Sequence, residues 1–98
     1  MTEGIPPHGG NKLERKFTVN NKLGLHARPA ALFVRTANGF RAEVSVRKGR
    51  QKVNGKSIMG IMTLAAQQGS HITIVTEGPD AAAAMEEIAK LIEGNFGE

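Results

Sequence analysis

His26 and Arg28 stand two residues apart in the stretch Gly24-Leu25-His26-Ala27-Arg28-Pro29-Ala30, immediately before an alanine-rich apolar run. The run reads as a helix and the pair as its first turn. Backbone N–H groups there lack intrahelical acceptors, and the helix dipole adds about half a positive charge. Such a terminus attracts anions and disfavours a protonated imidazole, so His26 is expected to be largely neutral and nucleophilic near neutral pH. Histidine forms covalent intermediates, and Arg28 offers a planar, permanently charged donor to phosphate oxygens. Phosphoryl transfer asks little of a protein beyond positioning and charge stabilisation. The pair therefore points to phosphoryl chemistry, although the local pattern also fits a surface histidine or a backbone cap.

The elements that must hold this pair are legible on either side. Residues 1–13 carry Gly4, Pro6, Pro7, Gly9 and Gly10 with little apolar content and read as a flexible tail before a domain over residues 14–98. Phe17 and Val19 alternate with polar neighbours as in a half-buried strand ending near Asn20-Asn21. Ala30, Phe33, Val34 and Ala37 then form one helical stripe. Pro29 suits its first turn, and Asn38-Gly39 before Phe40 suits a left-handed stop. Ala42, Val44 and Val46 mark a second strand, Lys48-Gly49 a tight turn, and Arg50–Asn54 a third strand.

Ser57 opens a short helix predicted over Ile58–Ala66, which Gln67-Gln68-Gly69 closes; a fourth strand, His71–Thr76, turns Ile72 and Ile74 inward. Gly78-Pro79-Asp80 starts the last helix, with Asp80 placed for the dipole, and Gly94 ends it. Its stripe is Ala81, Ala84, Met85, Ile88, Leu91 and Ile92. The order βαββαβα predicts an α+β fold: an open-faced two-layer sandwich, with three helices on one face of a four-stranded antiparallel sheet.

Composition narrows the function. Ninety-eight residues suffice for one core. No stretch approaches the ~20 apolar residues of a spanning helix, and the N-terminal stretch has no signal-peptide pattern. With no cysteine and no disulfide, a reducing cytoplasm is the expected location. Residues 1–56 carry twelve Lys/Arg against three Glu, whereas residues 57–98 carry Lys90 alone against six acids. A basic half fits an acidic partner, nucleic acid or an anionic ligand, or simply a solvated face. An alternative reading is accordingly a basic α+β nucleic-acid-binding module using Arg47–Lys52; four Phe and no Trp or Tyr count against it, since single-strand binders stack bases on aromatics. A small hydrolase with His26 as base lacks a partnered Ser or Cys nucleophile. His8 and His71 have no companions at ligand spacing, so neither a metal nor a cofactor is expected. No phosphate-cradling glycine loop for nucleotides appears.

The stretch GLHARPA resembles the active-site signature of the HPr family, the histidine phosphocarriers of the bacterial phosphoenolpyruvate-dependent phosphotransferase system. A second stretch, VNGKSIMGIMTL, resembles the family's second motif, and the resemblance runs from about Glu14 to the C-terminal end. It implies that His26 takes a phosphoryl group on Nδ1 from phosphorylated enzyme I and passes it to a IIA component, with Arg28 steadying the phosphate. The chain would then be a relay protein, expected to be monomeric, rather than a free-standing enzyme. Leu23 stands where many sugar-system members carry Asn or Ser, which is nearer to the nitrogen-related branch, NPr.

Ser57 is explained as an N-cap whose hydroxyl accepts a free N–H. The resemblance adds a regulatory reading, because KSIMG is similar to the segment modified by HPr kinase/phosphorylase. A phosphoserine there would meet the positive end of the dipole and repel an acidic partner. The second helix carries no charge: Ile61, Leu64 and Ala65 can be buried, leaving Ile58, Met59 and Met62 as an adaptable contact patch or as residues under a loop or the tail. The family docks its partners on this surface beside the histidine, with Leu25 counted in it. Arg35, seven residues after Arg28, is a rim contact for acidic partners.

Overall fold

In the computed structural model, which describes residues 11–98, side chains alternate across four strands: β1 (Asn11–Thr18), β2 (Glu43–Lys48), β3 (Gln51–Asn54) and β4 (His71–Gly78). Val44 and Val46 of β2 and Ile72, Ile74 and Thr76 of β4 are buried, while their neighbours in sequence are at least partly open, as the two-residue period of a one-sided sheet requires. The strands lie in the order β1-β4-β2-β3, and every neighbouring pair is antiparallel. Three helices cover the apolar face: α1 (Ala27–Asn38), α2 (Ile58–Thr63) and α3 (Ala81–Glu93). This is the α+β open-faced sandwich expected from the element order.

Helix α1 buries Pro29, Ala30, Phe33, Val34 and Ala37. Helix α3 buries Ala81, Ala84, Met85, Ile88, Ala89 and Ile92, while Leu91 of the expected stripe is only partly covered. Each large apolar side chain removed from water in this layer contributes roughly 1.5–3 kcal/mol before entropy is counted.

Several boundaries differ from the sequence reading. Strand β1 begins at Asn11, which pairs with Gly78, so residues 11–13 belong to the sheet rather than to a tail. An edge strand can be recruited by main-chain pairing alone, and Leu13 packs partly against the core. Residues 1–10, with His8 and Pro6-Pro7, lie outside the described residues. Gly39 is right-handed, at φ −75°. Helix α1 instead ends by tightening, the N–H groups of Gly39 and Phe40 donating to the carbonyls of Thr36 and Ala37.

Helix α2 stops at Thr63 rather than Ala66, because Ala65 turns left-handed at φ 50°. That reversal puts Ala65 outside and Ala66 inside, against the expected stripe. The freed carbonyls of Thr63 and Leu64 are met from the β2–β3 hairpin, by Gln51 Nε2 and Lys48 Nζ at 3.3 Å each.

Asp80 does not cap its own helix. Its carboxylate crosses to the start of β2 and accepts the N–H groups of Arg41 (2.9 Å) and Ala42 (2.8 Å), and these bonds, Arg41's first, hold its pKa below the ordinary value.

Candidate functional site

The segment entering α1 is pinned before the helix begins. The Val19 N–H donates to the Ser70 carbonyl at 2.8 Å, and the Val19 carbonyl accepts from Gly69 N–H at 2.7 Å. Farther on, Leu25 N–H donates to the Ala66 carbonyl at 2.9 Å, tying this loop to the exit of α2. Gly24 makes the approach possible: it sits at φ +68°, and a Cβ there would run into the Ala66 carbonyl oxygen. Leu25 is 5% exposed and packs in the core, which corrects its expected place on a contact surface. It is the apolar anchor that turns the next residue outward.

That next residue is His26, the N-cap of α1, extended at φ −78° and ψ −171° with no side-chain cap on the helix. Its side chain is 35% exposed. The first ladder bond runs from Ala30 N–H to the His26 carbonyl at 3.0 Å. Pro29 has no N–H, so the first-turn amides without an intrahelical acceptor are those of Ala27 and Arg28. Nε2 of the ring lies 3.0 Å from Oε2 of Glu98, and no hydrogen bond is formed at Nδ1 among the described residues. Arg28 is largely exposed, with Nη1 3.9 Å from the same Glu98 oxygen.

Glu98 and Asn21 were not singled out in the sequence. Asn21 is buried, and its Nδ2 donates to the Gly24 carbonyl at 2.6 Å and to Glu98 Oε1 at 3.1 Å. The Asn21 hydrogen bond, opposed by partial desolvation and aided by His26 and Arg28, holds the Glu98 carboxyl below its ordinary pKa. Asn21 Oδ1 is buried and unpartnered among the described residues. No spacing rule could have found this contact, since 72 residues separate His26 from Glu98.

Ser57 caps α2 as its type and position imply: Oγ accepts the Gly60 N–H at 3.0 Å. Beside it Ile58, Met59 and Met62 are exposed, as are Leu23 and, on α1, Arg35. Arg47, on the open face of the sheet, pairs with Glu14 at 3.1 Å, so the basic hairpin is interleaved with acids. Among the described residues no helix is long and apolar enough to cross a membrane, and no three metal-ligating side chains gather.

Residues 13–94 match the family model described as the PTS HPr component phosphorylation site. The phosphocarrier protein HPr of Neisseria meningitidis is 50% identical over 86 residues, spanning 88% of this chain and 97% of that protein. The HPr-like protein Crh of Halalkalibacterium halodurans is 52% identical over 81 residues, covering 83% of this chain and 96% of its own length. In three dimensions the crystal structure of HPr from Thermoanaerobacter tengcongensis superposes with a TM-score of 0.85 at 49% identity, covering 88% of this chain and 97% of that one. An exposed histidine at an uncapped helix start, an arginine beside it, and agreement in sequence and fold over most of the chain lead to one conclusion: this chain belongs to the HPr phosphocarrier family.

Proposed function

We propose that the chain is a phosphoryl relay, in which His26 accepts a phosphoryl group on Nδ1 from phosphorylated enzyme I and hands it to a IIA protein or domain. One observation carries this reading. The His26 ring is accessible at an uncapped helix start, Nδ1 makes no hydrogen bond among the described residues, and the Arg28 guanidinium lies alongside. The unpaired amides of Ala27 and Arg28 and the guanidinium supply the positive field that a phosphoryl group needs in flight. The open patch of Ile58, Met59 and Met62, with Arg35 at its rim, supports docking of partners that combine an apolar centre with acidic edges. Ser57 is the regulatory position in this reading. Its hydroxyl already serves the α2 terminus, so a phosphate added there changes the charge of the docking face without refolding the helix.

The relay needs a single copy of the chain and works in the cytoplasm, where phosphoenolpyruvate is made. One relative, HPr from T. tengcongensis, has also been crystallised as a dimer, so sedimentation of the phosphorylated and free forms belongs with the functional test. Incubation with phosphoenolpyruvate and enzyme I should add one acid-labile phosphate, detected by mass spectrometry and mapped to His26, and His26→Ala should take none. Absence of label with a competent enzyme I rules the reading out. Offering enzyme I of the sugar and nitrogen systems in parallel assigns the circuit by which one labels faster.

A further inference from the structure

Leu23 is a large apolar side chain that neither the core nor the α2 patch accounts for. It is 71% exposed, as open as Met59 at 73%, and it is not among the apolar side chains packed against the core. It stands in a tight turn, where the Gly24 N–H donates to the Asn21 carbonyl at 3.0 Å with Lys22 and Leu23 between them. Turns favour Gly, Pro, Asn, Asp and Ser for backbone reasons, none of which leucine serves. A lone exposed leucine is ordinary on a protein surface. What sets this one apart is how firmly and where it is held. Asn21 and Leu25, on either side of the turn, are 4% and 5% exposed. Asn21 Nδ2 donates to the Gly24 carbonyl at 2.6 Å, and Gln68 Nε2 to the Asn20 carbonyl at 3.0 Å. The backbone that presents Leu23 is therefore already ordered, so burying the side chain against a partner costs little further ordering.

The place is the margin of His26. A hollow of about 600 Å³ opens beside the ring, bordered by Lys22, Leu23, His26, Arg28, Gln68 and Asn95 among others. Ile58, Met59 and Met62 do not border it, so Leu23 flanks the histidine on a side that the α2 patch does not share. A protein that exchanges phosphate with His26 must bring phosphorus to about 3–3.5 Å from the ring nitrogen. Its surface then closes over the hollow, and what borders the ring is withdrawn from water with it.

We propose that Leu23 is a second apolar docking contact for the phosphoryl donor, enzyme I, separate from the α2 patch. The piece of the donor that fits there carries an apolar side chain flanked by a carboxylate: the apolar group packs on Leu23, and the carboxylate meets the exposed ammonium of Lys22 beside it. The inference rests on the relay reading above and adds to it a residue that binds the donor without touching the reacting atoms. Such a contact is made equally in the ground state and the transition state, so it sets KM and leaves kcat alone.

The test uses the full chain as the substrate of enzyme I and phosphoenolpyruvate, together with methyl NMR. Leu23→Ser, which suits the turn, should raise KM for the chain on the order of ten-fold, keep kcat within about two-fold and leave the urea midpoint no lower. Leu23→Met, which keeps an apolar side chain of similar size, should restore KM. In the wild-type chain a soluble paramagnetic agent should relax the Leu23 methyl signals strongly, and excess enzyme I should shield them. An unchanged KM in Leu23→Ser, a rise in KM matched by loss of folded chain, or Leu23 methyls that stay open to the agent beside enzyme I overturns the contact while leaving the relay standing. Failure of the wild-type chain to take phosphate at all overturns the relay itself, and with it this proposal.

Discussion

The starts of α1 and α2 are built in opposite ways. Helix α2, six residues long, begins at Ser57, whose hydroxyl accepts the Gly60 N–H and so satisfies a first-turn amide from within the helix's own sequence. Helix α1 begins at His26, which gives its helix no side-chain bond and instead turns its ring toward Asn21's partner, Glu98. One terminus spends its side chain on stability. The other leaves its amides open and is held in place from outside, by Leu25 in the core, by Gly24 against Ala66, and by the main-chain bonds around Val19. The lesson is that a helix start can leave its first-turn amides free of a side-chain cap when the loop before it does the holding that a cap does elsewhere.

This contrast can be broken most forcefully at Gly24. Gly24→Ala adds a Cβ at φ +68° against the Ala66 carbonyl and should cost about 2–3 kcal/mol in urea unfolding. Phosphate acceptance should fall beyond what the unfolded fraction explains, because the His26 loop is displaced. A loss near zero in both would mean that the loop does not set the helix start. A reciprocal pair sharpens the contrast at smaller scale. Ser57→Ala should lose about 1 kcal/mol and keep most of its phosphate acceptance. His26→Ser should gain up to about 1 kcal/mol, by giving α1 a capping hydroxyl, and accept none. If the two substitutions shift the unfolding midpoint in the same direction, the two termini are not the opposites described.

The smallest effect lies in acid. Asp80 has a folded pKa below its unfolded value of 3.8, so its contribution to stability is complete above that value and disappears as pH falls through the folded pKa. Urea midpoints compared at about pH 6 and about pH 3 should show a loss on acidification. That loss should shrink in Asp80→Asn, which starts lower at the higher pH. An unchanged acid loss would assign it to other carboxylates, Glu98 being the next with a lowered pKa.

Much of the fold could be read residue by residue because its signals are local. Val44 and Val46 in one strand, Ile72 and Ile74 in another, and the Ala30–Phe33–Val34–Ala37 stripe each declare their face by period alone, and each is buried as that period requires. The misreadings occurred where a long-range partner outweighed the local pattern or, at Ala65, where the backbone itself reversed. Asn11–Leu13 look like a tail until β4 pairs with them. Leu25 looks like a contact residue until the core takes it, and Ala65 extends a helical pattern until its own backbone reverses. Asp80 does stand at the start of α3, where the dipole favours an acid, and what its position alone did not reveal is that its carboxylate accepts the N–H groups of Arg41 and Ala42 across the fold.

For the site the division has the same cause. His26 and Arg28 are two residues apart, and Ser57 stands three before Gly60, so adjacency along the chain already brings each to a helix start. Nothing in the order of residues joins Asn21, His26 and Glu98. They meet because the sheet and α3 carry the distal end of the chain back across the α1 terminus, and Phe96 locks it there. Side-chain type travels with the residue, whereas which ring nitrogen faces a carboxylate depends on packing between segments 72 residues apart. Side-chain identity was thus local information, and the orientation of the His26 ring was not.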